Sequence, residues 1–258
     1  MMKPLPHYVI ANPTGNITLL VTDPVSIDEQ AAVSAELFRA EPSVEQIGFV
    51  WNIVPGISAS IRMSGGEFCG NASLSAAALV LQESGRSNGE ITLDFFGLQN
   101  PVSVSVEQLS GRSFRGSVSM PLPEKVSVKS LILDDELLQL PVVAFPGISH
   151  VLLNGILKRS AAEAAVIRWC EELKVPALGI MLMEDDSLTP LVFVREVNSL
   201  FWESSCASGT CAAVYHLFHE TGSHVMRSFR EPGGILSAEA GDGYLHLFGN
   251  VSFSDTHN

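Results

Sequence analysis

Basic residues are scarce in this chain. Fifteen Lys and Arg stand against 28 Asp and Glu, a formal net charge of −13 over 258 residues. Nowhere do the cations cluster, so neither a nucleic-acid duplex nor an anionic lipid surface finds a patch to bind, and no role on either is expected. The acidic excess reads as solubility. Long apolar runs are also lacking, and nothing approaches the roughly 18 uninterrupted apolar residues that a membrane span needs. In the opening stretch, MMKPLPHYVI, two prolines and a histidine interrupt what would have to be the apolar core of a secretory leader, so none is expected. Cysteine is equally sparse, at four residues with no C-x-x-C pair. That composition points away from a disulfide scaffold or a zinc site and toward free thiols in a reducing cytoplasm. Apolar residues make up 46% of the chain, enough to bury one large core or two of ordinary domain size.

What the chain does contain is an internal repeat. Cys69 opens C-G-N-A-S-L-S-A-A-A-L-V-L-Q-E-S-G, ending at Gly85, and Cys206 opens C-A-S-G-T-C-A-A-V-Y-H-L-F-H-E-T-G, ending at Gly222. Both segments span 16 residues from cysteine to glycine (85 − 69 and 222 − 206), with Glu83 matching Glu220 and Ala76 matching Ala213. Gly97 and Gly234 each follow 12 residues later. Upstream, Pro13-Thr-Gly-Asn16 answers Pro146-Gly-Ile-Ser149 after a small shift in register. The order of these matches predicts duplicated halves of roughly 120–140 residues each, near the usual domain size. The boundary falls at 118/119, and the last strand is free to return to the first half.

Each repeat has a readable local structure. Small and polar residues after each cysteine (Gly70, Asn71, Ser73; Ser208, Gly209, Thr210) suit a helix N-terminus, and Gly85 and Gly222 sit where left-handed C-caps belong. The run Ala76–Leu81 is apolar on every side, which marks a buried helix. Partial alternation of Val, Ile, Phe and Thr between Gly, Pro and Asn breaks predicts strands over 17–22, 48–53, 57–63, 90–95, 102–108 and 114–120. Further strands are expected over 150–154, 179–183, 191–196 and 244–251, with additional helices at 27–39 and 161–173. The expected fold is α+β: a long buried helix wrapped by mostly antiparallel strands, twice.

Two cysteines at two helix starts make a chemical statement. A helix N-terminus presents unpaired N–H groups and the positive end of the dipole. A thiol there ionises more readily, and the same amides can hold a carboxylate. Two such sites, facing each other, would surround the α-carbon of an amino acid. Racemisation needs one group to remove the α-proton and another, in the opposite protonation state, to deliver a proton to the other face. The reference thiol pKa of about 8.5 needs only a modest shift for either role. Amides aimed at the carboxylate would stabilise the charge that develops. With five lysines in the chain and no cofactor loop, no pyridoxal phosphate or other cofactor and no metal is expected. Cys170, in I-R-W-C-E-E-L, and Cys211, five residues after Cys206, read as buried packing residues. His150, which falls opposite Ile17 in the repeat, reads as a structural histidine at a strand start rather than as a base.

At these residues the chain resembles the diaminopimelate epimerase/proline racemase superfamily of metal-free, two-thiol racemases. The signatures stand here as Cys69-Gly70-Asn71-Ala72 and Cys206-Ala207-Ser208-Gly209. The resemblance runs through N-P-T-G-N at 12–16, E-Q-I-G-F at 45–49 and P-G-G at 232–234, essentially the whole chain. Three longer pieces, N-P-T-G-N-I-T-L-L-V, M-S-G-G-E-F-C-G-N-A and S-L-F-W-E-S-S-C-A-S-G-T, are similar to the histidine racemases that make D-histidine for opine-type metallophores. The resemblance implies two pseudo-symmetric domains, each a mostly antiparallel, barrel-like sheet around a central helix. It implies Cys69 and Cys206 as base and acid, exchanging roles with reaction direction. Gly70, Asn71, Ala207 and Ser208 would then offer amides to the α-carboxylate, and Asn16 and Gln46 would contact the substrate's polar groups. By analogy with relatives the protein is expected to form a homodimer.

One departure bears on the substrate. Diaminopimelate epimerases carry an E-R-G-x-G-type stretch before the second cysteine, whereas this chain reads Arg195-Glu196-Val-Asn-Ser-Leu-Phe-Trp-Glu203 without the glycines. The distal zwitterion of diaminopimelate therefore fits poorly, and Glu45 and Glu196 would suit a cationic or hydrogen-bonding side chain such as imidazole. Ala207 stands where glycine is usual, but its N–H is retained. The alternatives are a racemase or epimerase of the same chemistry acting on diaminopimelate, hydroxyproline or many amino acids, or a non-catalytic amino-acid-binding protein. An isomerase of the phenazine-biosynthesis type shares the architecture but lacks the cysteine pair.

Overall fold

The computed structural model describes residues 4–196 and 198–254. Its first elements are β1 (Tyr8–Pro13), β2 (Thr18–Val21), α1 (Ile27–Ala40), β3 (Gln46–Val54), β4 (Ser58–Met63) and α2 (Gly70–Ser84). They are followed by β5 (Asn88–Phe95), β6 (Val102–Ser110), β7 (Ser113–Ser119), β8 (Lys125–Leu133), β9 (Glu136–Phe145) and β10 (Ile148–Asn154). The remainder are α3 (Arg159–Leu173), β11 (Ala177–Glu184), β12 (Ser187–Val194), β13 (Ser199–Trp202), α4 (Ala207–Thr221), β14 (Val225–Glu231), β15 (Gly234–Gly241) and β16 (Tyr244–Phe253). The fold is α+β and mostly sheet. Its contacts divide the chain into two compact units, one ending at Val118 and resuming at Phe248, the other Ser119–Leu247. Among the described residues no helix is long and apolar enough to cross a membrane.

In the first unit, β1 to β7 lie side by side in chain order and the end of β16 follows β7. β16 also pairs with β1, Ala11 opposite Phe253, which closes an eight-stranded barrel. Helix α2 packs against β1 through β6 and is buried from Gly70 to Leu81. The reason lies in its side chains. Ala76, Ala77 and Ala78 are small enough for strands to approach from all sides, while Leu74, Val80 and Leu81 fill the space between, each worth roughly 1.5–3 kcal/mol of burial. A Cβ on Gly116 of β7 would meet Leu74 Cδ2 at 2.8 Å and the Ser105 carbonyl at 3.0 Å, so this glycine is what admits the helix so close to the wall. Strand alternation is clear where the barrel meets solvent: Ile91, Leu93 and Phe95 of β5 point inward between exposed neighbours. Helix α1 covers the outside, burying Leu37 against Leu19, Val21, Ile47 and Phe49.

In the second unit, α4 packs against β9, β10, β11, β14 and β15. Helix α3 seats Trp169, Val166 and Cys170 against Leu131, Leu178 and Leu191, and the Trp169 indole N–H donates to the Ile132 carbonyl at 2.9 Å. Cys170 and Cys211 are both fully buried, the packing role expected of them.

The glycines expected as helix stops do that work: Gly85 and Gly222 are left-handed, with φ of 69° and 64°. Three differences from the expected elements have local causes. The strand expected at 191–196 is β12, which begins at Ser187, runs through Pro190 and ends at Val194, leaving Arg195 and Glu196 in a turn. The β8–β9 hairpin was hidden because its turn uses Asp134 and Asp135 at positive φ (45° and 65°) rather than glycine, and because its outer face exposes Val128, Ile132 and Leu137. Strands are also joined in parallel at β2–β3, β4–β5, β10–β11 and β12–β14, each across a helix, so the sheets are more mixed than the sequence suggested.

Candidate active site

Cys69 is the N-cap residue of α2, with extended backbone (φ −132°, ψ 114°). Its sulfur does what a serine oxygen does at this position, accepting the Ala72 N–H at 3.3 Å. The Cys69 carbonyl accepts both the Ser73 N–H (3.0 Å) and the Ser73 hydroxyl (2.8 Å). The thiol itself donates to Gln46 Oε1 at 2.7 Å. From there a chain of side-chain amides runs inward. Gln46 Nε2 donates to Asn16 Oδ1, and Asn16 Nδ2 donates to Glu45 Oε2 at 2.7 Å. Asn16 is completely buried, held by a tight turn in which Thr14 and Gly15 take positive φ, the Asn16 N–H reaches the Pro13 carbonyl, and Asn12 Oδ1 accepts the Gly15 N–H. Asn16, Glu45, Gln46 and Cys69, four residues singled out from the sequence, thus meet in one network, and Gly70 and Asn71 follow Cys69 as the first residues of α2. The amides in that network cannot carry a proton in normal use; they orient the thiol and fix which lone pairs it meets.

Cys206 occupies the same position on α4, with φ −129° and ψ 104°. Its surroundings are more acidic. The Cys206 N–H donates to Glu231 Oε2 at 2.6 Å, and the Glu203 carboxylate accepts the thiol proton in a hydrogen bond. Desolvation, the charges of Glu203 and Glu231 and that hydrogen bond together raise the thiol well above its usual pKa. The Gly209 amide pulls the other way without making a full cap hydrogen bond. On the α4 side, Cys206 Sγ lies 3.7 Å from Ser208 Oγ, which is 2.9 Å from His150 Nε2. His150 is fully buried on β10, and desolvation pushes its pKa down to about 3, so it is neutral. Its Nδ1 has no hydrogen-bond partner. An unpaired acceptor costs less than an unpaired donor, so the proton sits on Nε2, which donates to Ser208 and leaves the serine O–H free to turn toward the sulfur. Gly179 makes room for this ring: a Cβ there would lie 2.4 Å from His150 Nδ1.

Ala207 and Ser208 are the first residues of α4 and are buried beside Cys206, while Glu196 lies exposed in the turn after β12. Sequence reasoning passed over Glu203, Thr210 and Glu231. The signal for Glu231 was its parity: it sits two residues after Phe229 on β14, so both point to the buried face. Nothing in the sequence singled out Glu203 beyond its place in the quoted E-S-S-C stretch. Among the described residues no group of three or more His, Cys, Asp or Glu side chains is placed so that it could hold a metal ion.

Comparison with known proteins shows the same pattern of resemblance at every level. Residues 6–244 match the family model described as the histidine racemase CntK N-terminal domain. A histidine racemase of Fusobacterium nucleatum subsp. nucleatum is 31% identical over 222 residues, covering 81% of this chain and 80% of that protein. A histidine racemase of Staphylococcus aureus strain Mu50 is 25% identical over 239 residues, 87% of this chain and 85% of that protein. Among solved structures, a Pseudomonas aeruginosa protein described as an epimerase superposes with a TM-score of 0.68 at 14% identity, covering 96% of both chains. A Clostridium difficile strain 630 protein described as a phenazine biosynthesis PhzC/PhzF protein gives 0.61 at 13% identity, covering 97% of this chain and 98% of that one. At such identities the structural matches establish the fold alone. The sequence matches go further, and they place this chain in the histidine racemase family, among isomerases of the racemase and epimerase kind.

Proposed function

We propose that the protein interconverts L- and D-histidine without a cofactor, using Cys69 and Cys206 as its paired base and acid. One observation carries this reading: each unit presents a cysteine as the N-cap of its most buried helix, with nearly the same backbone angles, and each cysteine is held by its own hydrogen-bond network. Packing alone would not require a polar network around either sulfur. The order hairpin, helix, hairpin, cysteine-capped helix, hairpin occurs in both units with parallel joins across each helix, which supports a pseudo-symmetric pair of domains from a duplicated ancestor. That the sequence relatives are histidine racemases supports histidine as the substrate.

In this mechanism one cysteine, as thiolate, removes the α-proton, and the other, as thiol, delivers a proton to the opposite face. The roles reverse for the other enantiomer. Each helix start favours the negative charge that passes through the sulfur and the substrate carboxylate, because the dipole and the leading N–H groups are already oriented. Gly70, Asn71, Ala207 and Ser208 offer those amides. Asn16 and Gln46 hold the Cys69 thiol and contact the substrate's polar groups, and Glu45 and Glu196 provide acceptors for the imidazole. No lysine is assigned a role in the chemistry, and the reaction is expected in protein stripped of small molecules.

The test is α-proton exchange in D₂O with a panel of L-amino acids, using wild type, Cys69→Ser and Cys206→Ser, each dialysed against chelator and a carbonyl reagent. Exchange and inversion of histidine, with inversion lost in either variant, support the reading. Turnover restored only by pyridoxal phosphate, or no exchange with any amino acid by reduced protein, refutes it.

A further inference from the structure

Glu231 has no part in that mechanism, yet it is among the most unusual side chains in the molecule: a glutamate at the end of β14 that is only 4% exposed. Both of its oxygens are committed within its own unit. Oε2 accepts the backbone N–H of Cys206 at 2.6 Å, and Oε1 accepts the hydroxyl of Thr210, one turn further along α4. The Thr210 N–H also closes onto the Cys206 carbonyl at 2.9 Å. A carboxylate on a neighbouring strand thus clasps the whole first turn of α4. In the corresponding turn of α2 the fourth residue after the cysteine is Ser73, whose hydroxyl folds back onto the Cys69 carbonyl at 2.8 Å.

We infer that Glu231 is a positioning residue for Cys206: by clasping the first turn of α4 it fixes the backbone from which the thiol projects and sets the charge against which that thiol ionises. This rests on Cys206 being one of the two reacting thiols. The groups that face the sulfur are Glu203 from the segment before α4, Glu231 from β14, Ser208 and Gly209 from α4, and His150 from β10 through Ser208. Cys211 is buried further along the same helix. His150 is neutral, so the acidic neighbours are the carboxyl groups of Glu203 and Glu231, and each opposes a thiolate once it is ionised. Burial pushes Glu231 itself up to about 8, against the pull of the Thr210 and Cys206 hydrogen bonds. Ionisation of the Glu231 carboxyl and ionisation of the Cys206 thiol therefore oppose each other. Buried and backed by two carboxyl groups, Cys206 stays protonated and serves as the acid in the resting protein.

The experiment is a pH titration of Cys206 by iodoacetamide alkylation, read on the Cys206 peptide by mass spectrometry, in full-length protein and its Glu231→Gln variant. Glutamine keeps the size and an acceptor for the Cys206 N–H but removes the charge. The expected result is a midpoint lowered by about one unit, so that about tenfold more thiolate is present at a fixed pH below both midpoints. The basic limb of the kcat profile for α-proton exchange shifts in the same direction, kcat changes more than KM, and Glu231→Asp restores the wild-type midpoint in part. A midpoint and a pH profile that do not move, even with lower activity or stability, overturn the inference and leave Glu231 a purely structural clamp. Should Glu231→Gln fail to fold, Thr210→Val releases one end of the clasp; without that hydrogen bond the Glu231 carboxyl is pushed further up, so the Cys206 midpoint falls by less than in Glu231→Gln, and an unmoved midpoint overturns the inference. Titration needs no turnover, so a shifted midpoint in a protein that exchanges no α-proton would sustain the role of Glu231 and sink the racemase reading.

Discussion

Gly209→Ala is the sharpest perturbation the structure offers. Gly209 is the third residue of α4, and a Cβ built on it would stand 2.1 Å from Met181 Sδ, 3.1 Å from Met181 Cε and 3.2 Å from Cys206 Sγ. Ordinary carbon contacts lie at about 3.5–4.0 Å, so the methionine would have to retreat by roughly 1.5 Å. Methionine adapts well, but Met181 is fully buried on β11 and close-packed interiors leave little room. Overpacking of this kind costs about 1–3 kcal/mol, and the helix propensity that alanine gains over glycine returns at most about 1 kcal/mol. A net loss near 1 kcal/mol corresponds to a Tm lower by roughly 2–4 °C for a chain of this size. Activity should suffer more than stability. The new methyl presses on Cys206 Sγ, and under the proposed mechanism a displacement approaching 1 Å costs up to about 10²-fold in rate. The assay is paired: thermal unfolding, and α-proton exchange with histidine in D₂O. Adding Met181→Ala to Gly209→Ala makes space for the methyl and should recover part of the rate, a coupling that a double-mutant cycle measures. A Gly209→Ala protein with wild-type Tm and wild-type kcat would refute the packing argument at the head of α4.

Other expectations follow from the two networks. Gln46→Leu removes the acceptor of the Cys69 thiol and leaves Asn16 Oδ1 without its donor, so it should cost about 1–3 kcal/mol in urea unfolding and most of the exchange activity, with Cys206 alkylation unchanged. His150 is neutral in the fold, with its pKa lowered from 6.5 to about 3. Its contribution to stability is complete above 6.5 and is lost as pH falls toward 3, about 2 kcal/mol by pH 5; urea titrations of His150→Asn should show a flatter acid limb over that window. Glu231 runs the opposite way: its folded pKa, about 8, lies above the ordinary 4.5, so its contribution is present below 4.5 and fades as pH rises toward 8. Unfolding of Glu231→Gln against wild type should therefore swing in favour of the variant by a few kcal/mol between pH 5 and pH 8, and a constant difference would mean that Glu231 ionises normally. Glu45→Gln and Glu196→Gln, assayed for KM with histidine, should each raise it about tenfold, the worth of one charge-assisted hydrogen bond; an unchanged KM would reduce that carboxylate to surface solvation.

The buried helices were legible because their evidence is local. The all-round apolar run from Ala76 to Leu81 could only be a core helix, and the glycines at 85 and 222 announce left-handed caps. Asn16, Gln46 and Cys69 could be nominated by resemblance, but the amide chain joining them could not, since it depends on a tight turn at Pro13–Asn16 bringing Asn16 against the start of β3. The β8–β9 hairpin escaped detection because aspartates occupy its positive-φ turn and its exposed face is apolar, both against the usual signals.

Local chemistry along the chain, then, determined where the helices start and stop, which cysteines cap them, and that no basic surface or apolar membrane span accompanies them. Tertiary structure alone decided the electrostatic character of each thiol. Glu231 reaches Cys206 from 25 residues downstream and His150 reaches Ser208 from 58 residues upstream, while Gln46 meets Cys69 across 23. The reason is physical. A helix cap is satisfied by neighbours within one turn, whereas ionisation answers to every charge and every lost water around the sulfur, and those are set by which distant strands the fold lays beside it.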